Sequence, residues 1–103
     1  MNQPPLNNPP PLERIVHVIN PQGLHARPAD LLVRCADGFE STIMIQKGSE
    51  QVDCRSILSL LTLGATEGTE LKLTVQGHDA ENALAAICEL FEQGFHENGQ
   101  PSP

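Results

Sequence analysis

The stretch "TELKLTVQG" (69–77) constrains this chain more than any other. Leu71, Leu73 and Val75 alternate with polar residues, and a period of two places those three on one face of a strand and the polar set on the other. Such a strand belongs in a sheet with one covered face and one face in water. "RIVHVIN" (14–20) is β-branched, is bounded by Asn20-Pro21, and puts Val16 and Val18 on one face. "STIMIQ" (41–46), the turn "KGSE" and "QVDC" (51–54) read as a hairpin, with Ile43 and Ile45 facing one way and Val52 and Cys54 doing the same.

Between the strands the period changes. Residues 28–37 carry Ala29, Leu32, Val33 and Ala36 at helical spacing, and Gly38 follows at a C-cap position. Ser56 to Leu63 is a short apolar helix ended by Gly64. A last helix opens at Asp79, a suitable N-cap, and buries Ala80, Ala83, Leu84, Ile87 and Phe91 before Gly94. The order β-α-β-β-α-β-α predicts an α+β open-faced β-sandwich: a four-stranded antiparallel sheet with three helices on one face.

With 103 residues the chain has room for one domain, and with three phenylalanines and no tryptophan or tyrosine its core must be aliphatic. The net charge is −7 and no run of lysine or arginine exists, which excludes nucleic acid and anionic membrane as partners and favours a basic patch on another protein. Cys35, Cys54 and Cys88 form neither a CxxC pair nor a zinc pattern, so they read as reduced thiols of a cytoplasmic protein with no metal. No apolar run reaches the roughly 18 residues of a membrane span. Prolines 4, 5, 9, 10 and 11 mark residues 1–12 as a disordered, polyproline-leaning tail. The ordered domain is expected over 13–96, with residues 97–103 fraying.

Chemistry concentrates in "NPQGLHARPAD" (20–30). Pro28 suits a first helical turn, so His25, Ala26 and Arg27 stand at a helix entrance where free N–H groups and the helix dipole welcome an anion. A histidine there can act as a nucleophile toward a phosphoryl group. Arg27 supplies a permanent fork of donors for its oxygens, and Gly23 lets the preceding turn adopt a positive φ. A solvated cap residue is the bland reading of such a histidine, and it is retained for His17, His78 and His96.

"NPQGLHARPA" followed by "RSILSLLTLGATEGTEL" resembles the HPr family, the histidine-containing phosphocarriers of the bacterial phosphoenolpyruvate-dependent sugar phosphotransferase system. The resemblance runs from about Arg14 to Phe95. It implies an open-faced β-sandwich and a phosphoryl carrier rather than an enzyme, with no cofactor, most simply a monomer. His25 would be phosphorylated on Nδ1 by phospho-enzyme I, with Arg27 as its phosphoryl-binding partner, and would pass the group to the IIA domains of sugar permeases.

It further implies that Ser56, in "RSI", is a regulatory target of HPr kinase/phosphorylase, although a serine opening a short helix is explained by capping alone. The partner-binding patch would comprise Ala26, Asp30, Ile57, Leu58 and Leu61, with Leu58 and Leu61 partly exposed and Ile57 or Leu60 turned to the core. Asp30 departs from the small residue usual in the family, and Arg34 one turn on is placed to pair with it. Two alternatives share the motif: a regulatory adaptor acting through phospho-Ser56 on a transcription regulator, and a nitrogen-related paralogue with other partners and little sugar flux.

Overall fold

The computed structural model describes residues 9–97. In chain order the elements are β1 (Leu12–His17), α1 (Ala26–Ala36), β2 (Thr42–Lys47), β3 (Glu50–Asp53), α2 (Ile57–Thr62), β4 (Glu70–Gln76), α3 (Ala80–Glu92) and a closing 3₁₀ turn (Gly94–His96). The strands form a four-stranded sheet in the order β1-β4-β2-β3, with every pairing antiparallel. This is the expected open-faced sandwich, with its strand alternation intact.

The register explains the core. Val16 lies opposite Leu71, and two residues further along β4 Leu73 lies opposite Ile45, which in turn lies opposite Val52, so neighbouring rows of inward side chains cover one face of the sheet. Leu71, Leu73, Val75, Ile43 and Ile45 are fully buried there, beneath Leu32 of α1 and Ile87 and Phe91 of α3. Each such aliphatic side chain contributes about 1.5–3 kcal/mol by leaving water. The opposite face of the sheet carries Lys72, Thr74, Met44 and Gln46, all half-buried, with Ile15 exposed at its edge.

Several boundaries depart from the sequence reading. Leu12 is half-buried and pairs with Val75, so residue 12 belongs to the sheet rather than the tail; Pro9 to Pro11 are exposed. The tail assignments for residues 1–8 and 98–103 lie outside the described residues. β1 ends at His17, although Val18 still exchanges bonds with Thr69 O (3.0 Å) and Gly68 N (2.7 Å). α1 begins at Ala26, making Pro28 its third residue; a first-turn proline lacks an amide the helix would not have used, so the helix can start ahead of it.

Two caps also differ. Gly38 is not left-handed: α1 runs out through Asp37 at φ −64, and the Gly38 amide bonds to Cys35 O at 3.1 Å. Asp79 occupies the N-cap position of α3 but does not cap it. Its carboxylate accepts instead from the Ser41 hydroxyl and from the amides of Glu40 (2.9 Å) and Ser41 (3.0 Å), which hold it below the usual carboxylate range. A long-range loop contact has taken the group that local sequence assigned to the helix.

The C-terminal end is the larger surprise. Phe95 is fully buried with its ring edge-on to Phe91, centroids 4.9 Å apart, and Phe95 and His96 adopt φ of 55 and 63. Those left-handed residues turn the chain back over the 20–25 loop. Glu97, assigned above to the fraying tail, is consequently an ordered part of the domain, held by side-chain bonds to that loop.

Candidate functional site

The loop before α1 is built by a turn and a close approach. The Gly23 amide donates to Asn20 O at 3.1 Å, and the Leu24 amide donates to Ala65 O at 2.9 Å. Gly23 sits at φ +71, and a Cβ there would overlap the Ala65 carbonyl oxygen and come within 3.0 Å of Thr66 Cα, so only glycine fits. Leu24 on one side and Pro28 and Ala29 on the other are buried, and they pin the segment at both ends.

Between those anchors His25 is the N-cap residue of α1, with extended backbone (φ −79, ψ −167), and its side chain makes no capping bond. The Ala29 amide closes the first helical bond to His25 O at 3.1 Å. Since Pro28 has no amide, the first turn offers the N–H groups of Ala26 and Arg27 at the positive end of the helix dipole. Ala26 and Arg27 are exposed, and among the described residues the Arg27 guanidinium enters no ion pair. An anion reaching this entrance meets amides, dipole and a cationic residue together.

The His25 side chain retains 34% of its accessible surface, and its Nε2 lies 2.9 Å from Oε1 of Glu97. Fully buried Asn20 links the two halves, its Nδ2 donating to Gly23 O (2.7 Å) and to Glu97 Oε1 (3.2 Å). Sequence reading missed Glu97 because it lies 72 positions from His25, in a segment whose composition suggests fraying. The available signal was Phe95, a large apolar residue directly before it.

Asp30 is half-buried and its carboxylate accepts from Arg34 Nε at 2.8 Å, one turn along the helix. That pairing was expected, and it commits the carboxylate to the guanidinium. Ser56 is the N-cap of α2, as predicted: its hydroxyl oxygen accepts from the Ser59 amide (3.3 Å) and its hydroxyl donates to Ser59 Oγ (2.8 Å). Arg55, beside it, turns away to the end of α1, donating to Ser41 O (3.1 Å), Ala36 O (2.7 Å) and Phe39 O. Its guanidinium is thereby spent on tying α1 to the segment before α2.

Leu58 is 72% exposed, and Ile57 and Leu61 are 37% and 38% exposed, whereas Leu60 is fully buried. The core position of α2 is therefore Leu60, and Ile57 joins the outward patch. The Ala65 segment that follows α2 is the one that receives the Leu24 amide, so patch and histidine loop are braced against each other. The three thiols are free; burial raises all of them, pushing Cys54 up to about 12. Such thiols are inert packing groups at neutral pH. No cluster suited to a metal ion occurs among the described residues, and no helix there is long and apolar enough to cross a membrane.

A half-exposed histidine at an uncapped helix entrance, on an open-faced antiparallel sandwich, defines a small domain suited to carrying a phosphoryl group. Comparison with known proteins names the family. Residues 12–93 match the family model described as PTS HPr component phosphorylation site. The chain is 42% identical over 84 residues to the phosphocarrier protein HPr of Treponema pallidum, covering 82% of this chain and 96% of that one. It is 41% identical over 86 residues to the phosphocarrier protein NPr of Shewanella violacea, covering 84% and 94%. Among solved structures, HPr-C-His from Thermoanaerobacter tengcongensis superposes with a TM-score of 0.80 at 36% identity, covering 88% of this chain and 99% of that one. The chain belongs to the HPr family of phosphotransferase-system phosphocarriers.

Proposed function

We propose that His25 is the phosphoryl acceptor of this phosphocarrier, charged by phospho-enzyme I and discharged to IIA domains in the cytoplasm. The observation that carries the reading is the placement of His25 as an N-cap residue that does not cap. Its ring is accessible, and the amides of Ala26 and Arg27 are left for phosphoryl oxygens. Arg27 neutralises the group's charge as a planar fork of donors.

A carrier of this kind needs positioning and electrostatics more than covalent machinery, because each partner brings its own reacting atom in line. Ala26, Asp30, Ile57, Leu58 and Leu61 form the surface that partners meet, and the domain acts as a monomer. Incubation with phosphoenolpyruvate and purified enzyme I should place an acid-labile phosphoryl group on the protein that is absent from His25→Ala. Acid-stable label, or label surviving that substitution, refutes the assignment.

The nitrogen-related reading is supported by the similarity to the Shewanella NPr. It assigns the same chemistry to His25 and different IIA partners, so transfer rates to a sugar IIA and a nitrogen-related IIA, compared side by side, separate the two. Ser56 is proposed as a regulatory phosphorylation site on a narrower basis. Its hydroxyl is part-buried and already engaged with Ser59, and Arg55 is engaged elsewhere, so a kinase must open that cap to reach it. ATP and HPr kinase should give acid-stable phosphate that Ser56→Ala removes; no incorporation dismisses both the regulatory site and the adaptor reading.

A further inference from the structure

We infer that Glu97 is a positioning residue for phosphoryl transfer, holding the His25 ring in the tautomer that attacks through Nδ1 and opposing the positive charge the ring acquires. The inference rests on His25 being the phosphoryl acceptor and assigns a role to a residue outside the motif that contains it. Its basis is the 2.9 Å contact between His25 Nε2 and Glu97 Oε1. An ionised carboxylate only accepts hydrogen bonds, so Nε2 must carry the proton in this pair. In the neutral ring the lone pair then lies on Nδ1.

The consequence holds for both halves of the shuttle. On acceptance the Nδ1 lone pair forms a bond to phosphorus, while the bond from phosphorus to the donor's leaving atom breaks and its electron pair stays with the donor. The ring now bears a phosphoryl group on Nδ1 and a proton on Nε2, and is formally cationic; the carboxylate facing Nε2 stabilises it. On delivery the lone pair of the IIA acceptor atom forms a bond to phosphorus while the Nδ1–P bond breaks and its electron pair returns to the ring. With Nε2 still protonated, the departing group is neutral imidazole rather than an imidazolate anion, which is much the better leaving group. The carboxylate acts through the ring and need not touch the phosphoryl group.

Two further features show that Glu97 is placed rather than incidental. Fully buried Asn20 gives one amide hydrogen to Gly23 O and the other to Glu97 Oε1, and among the described residues its buried Oδ1 has no partner. Turning the amide to satisfy that oxygen would set it against two acceptors, so the structure tolerates an unpaired acceptor in order to orient Glu97. The chain reaches Glu97 through Phe95 and His96, both left-handed, with Phe95 locked in the core against Phe91. Unfavourable backbone at two non-glycine residues is maintained by packing, and its product is the return of Glu97 over the ring.

The test compares wild type, Glu97→Ala and Glu97→Gln in the full chain. Long-range nitrogen–proton NMR of the His25 ring, at a pH where it is neutral, should show mainly the Nε2–H tautomer in wild type and in Glu97→Gln, whose amide oxygen can still accept. Glu97→Ala should give a mixture. Acceptance from phospho-enzyme I and delivery to a IIA domain should both slow by about ten- to a hundredfold in Glu97→Ala, the span implied by losing a hydrogen bond to a charged group. Glu97→Gln should fall between, because it keeps the tautomer and lacks the charge. A normally labelled wild type beside a Glu97→Ala variant with unchanged tautomer and rates overturns the role of Glu97 alone. Equal slowing in both variants with no change of tautomer also overturns it, leaving Glu97 a structural residue. A wild type that takes no phosphoryl group from enzyme I refutes the carrier reading of His25, and that result is independent of the NMR.

Discussion

Helices α1 and α2 begin in opposite ways. α2 opens on Ser56, whose hydroxyl satisfies the Ser59 amide, and the helix is sealed by its own sequence. α1 opens on His25, which stands in the same cap position with extended backbone, makes no capping bond and, among the described residues, leaves the amides of Ala26 and Arg27 unclaimed. Capping a helix typically contributes about 1 kcal/mol. The longer helix forgoes that contribution at its start, and the stability it lacks there is the binding capacity it offers an anion. The molecule thus separates a helix start that holds the fold from one proposed to carry the phosphoryl group.

The contrast can be broken at His25 itself. His25→Asn and His25→Ala should both abolish acid-labile phosphorylation, yet the asparagine variant should be more stable than the alanine variant by about 1 kcal/mol, because it restores a cap. Urea denaturation of the two checks this, and equal stability would mean the helix entrance was not open. Next in size is Gly23→Ala. Forcing a side chain into left-handed backbone costs about 1–2 kcal/mol before any clash, and overlap with the Ala65 carbonyl adds to it. Lower stability together with slower transfer is expected, since both the loop and the segment behind α2 must move.

Ser56→Ala should cost about 1 kcal/mol, the ordinary loss of an N-cap, while phosphorylation at His25 continues at the wild-type rate. Slowed transfer would show that the two helix starts are coupled. The smallest effect is expected at Asp30→Ala. Its exposed pair with Arg34 is screened by water and fades in salt, so stability should barely change. A larger change in transfer rate than in stability would identify Asp30 as a partner contact.

How much of this was readable in advance depended on distance along the chain. The inward rows of Leu71, Leu73 and Val75 or of Ile43 and Ile45 follow from a period of two, and the helix stripes from spacings of three and four. Ser56 as a cap and the Asp30–Arg34 pair are likewise local. Asp79 shows the limit: its position was right, and its carboxylate went to the Glu40–Ser41 segment, nearly forty residues away. Arg55 reads as an isolated basic residue beside a serine, and in the fold it braces the end of α1 through carbonyls that local sequence cannot point at it. Ile57, assigned ambiguously between core and surface, was settled by which side of α2 Leu60 buries.

By itself the amino-acid order determined the alternating periods, hence the sheet with one covered face, and the motif that sets His25 beside Arg27 at a helix entrance. Those properties arise within a few residues, where backbone geometry dictates which side chains share a face. Tertiary structure alone decided which carboxylate faces the histidine. Burial of Phe95 against Phe91 and the left-handed turn through His96 bring the far end of the chain over its beginning, so that Glu97 meets Nε2 of His25. No local period encodes that meeting, because it exists only once the core has closed around Phe95.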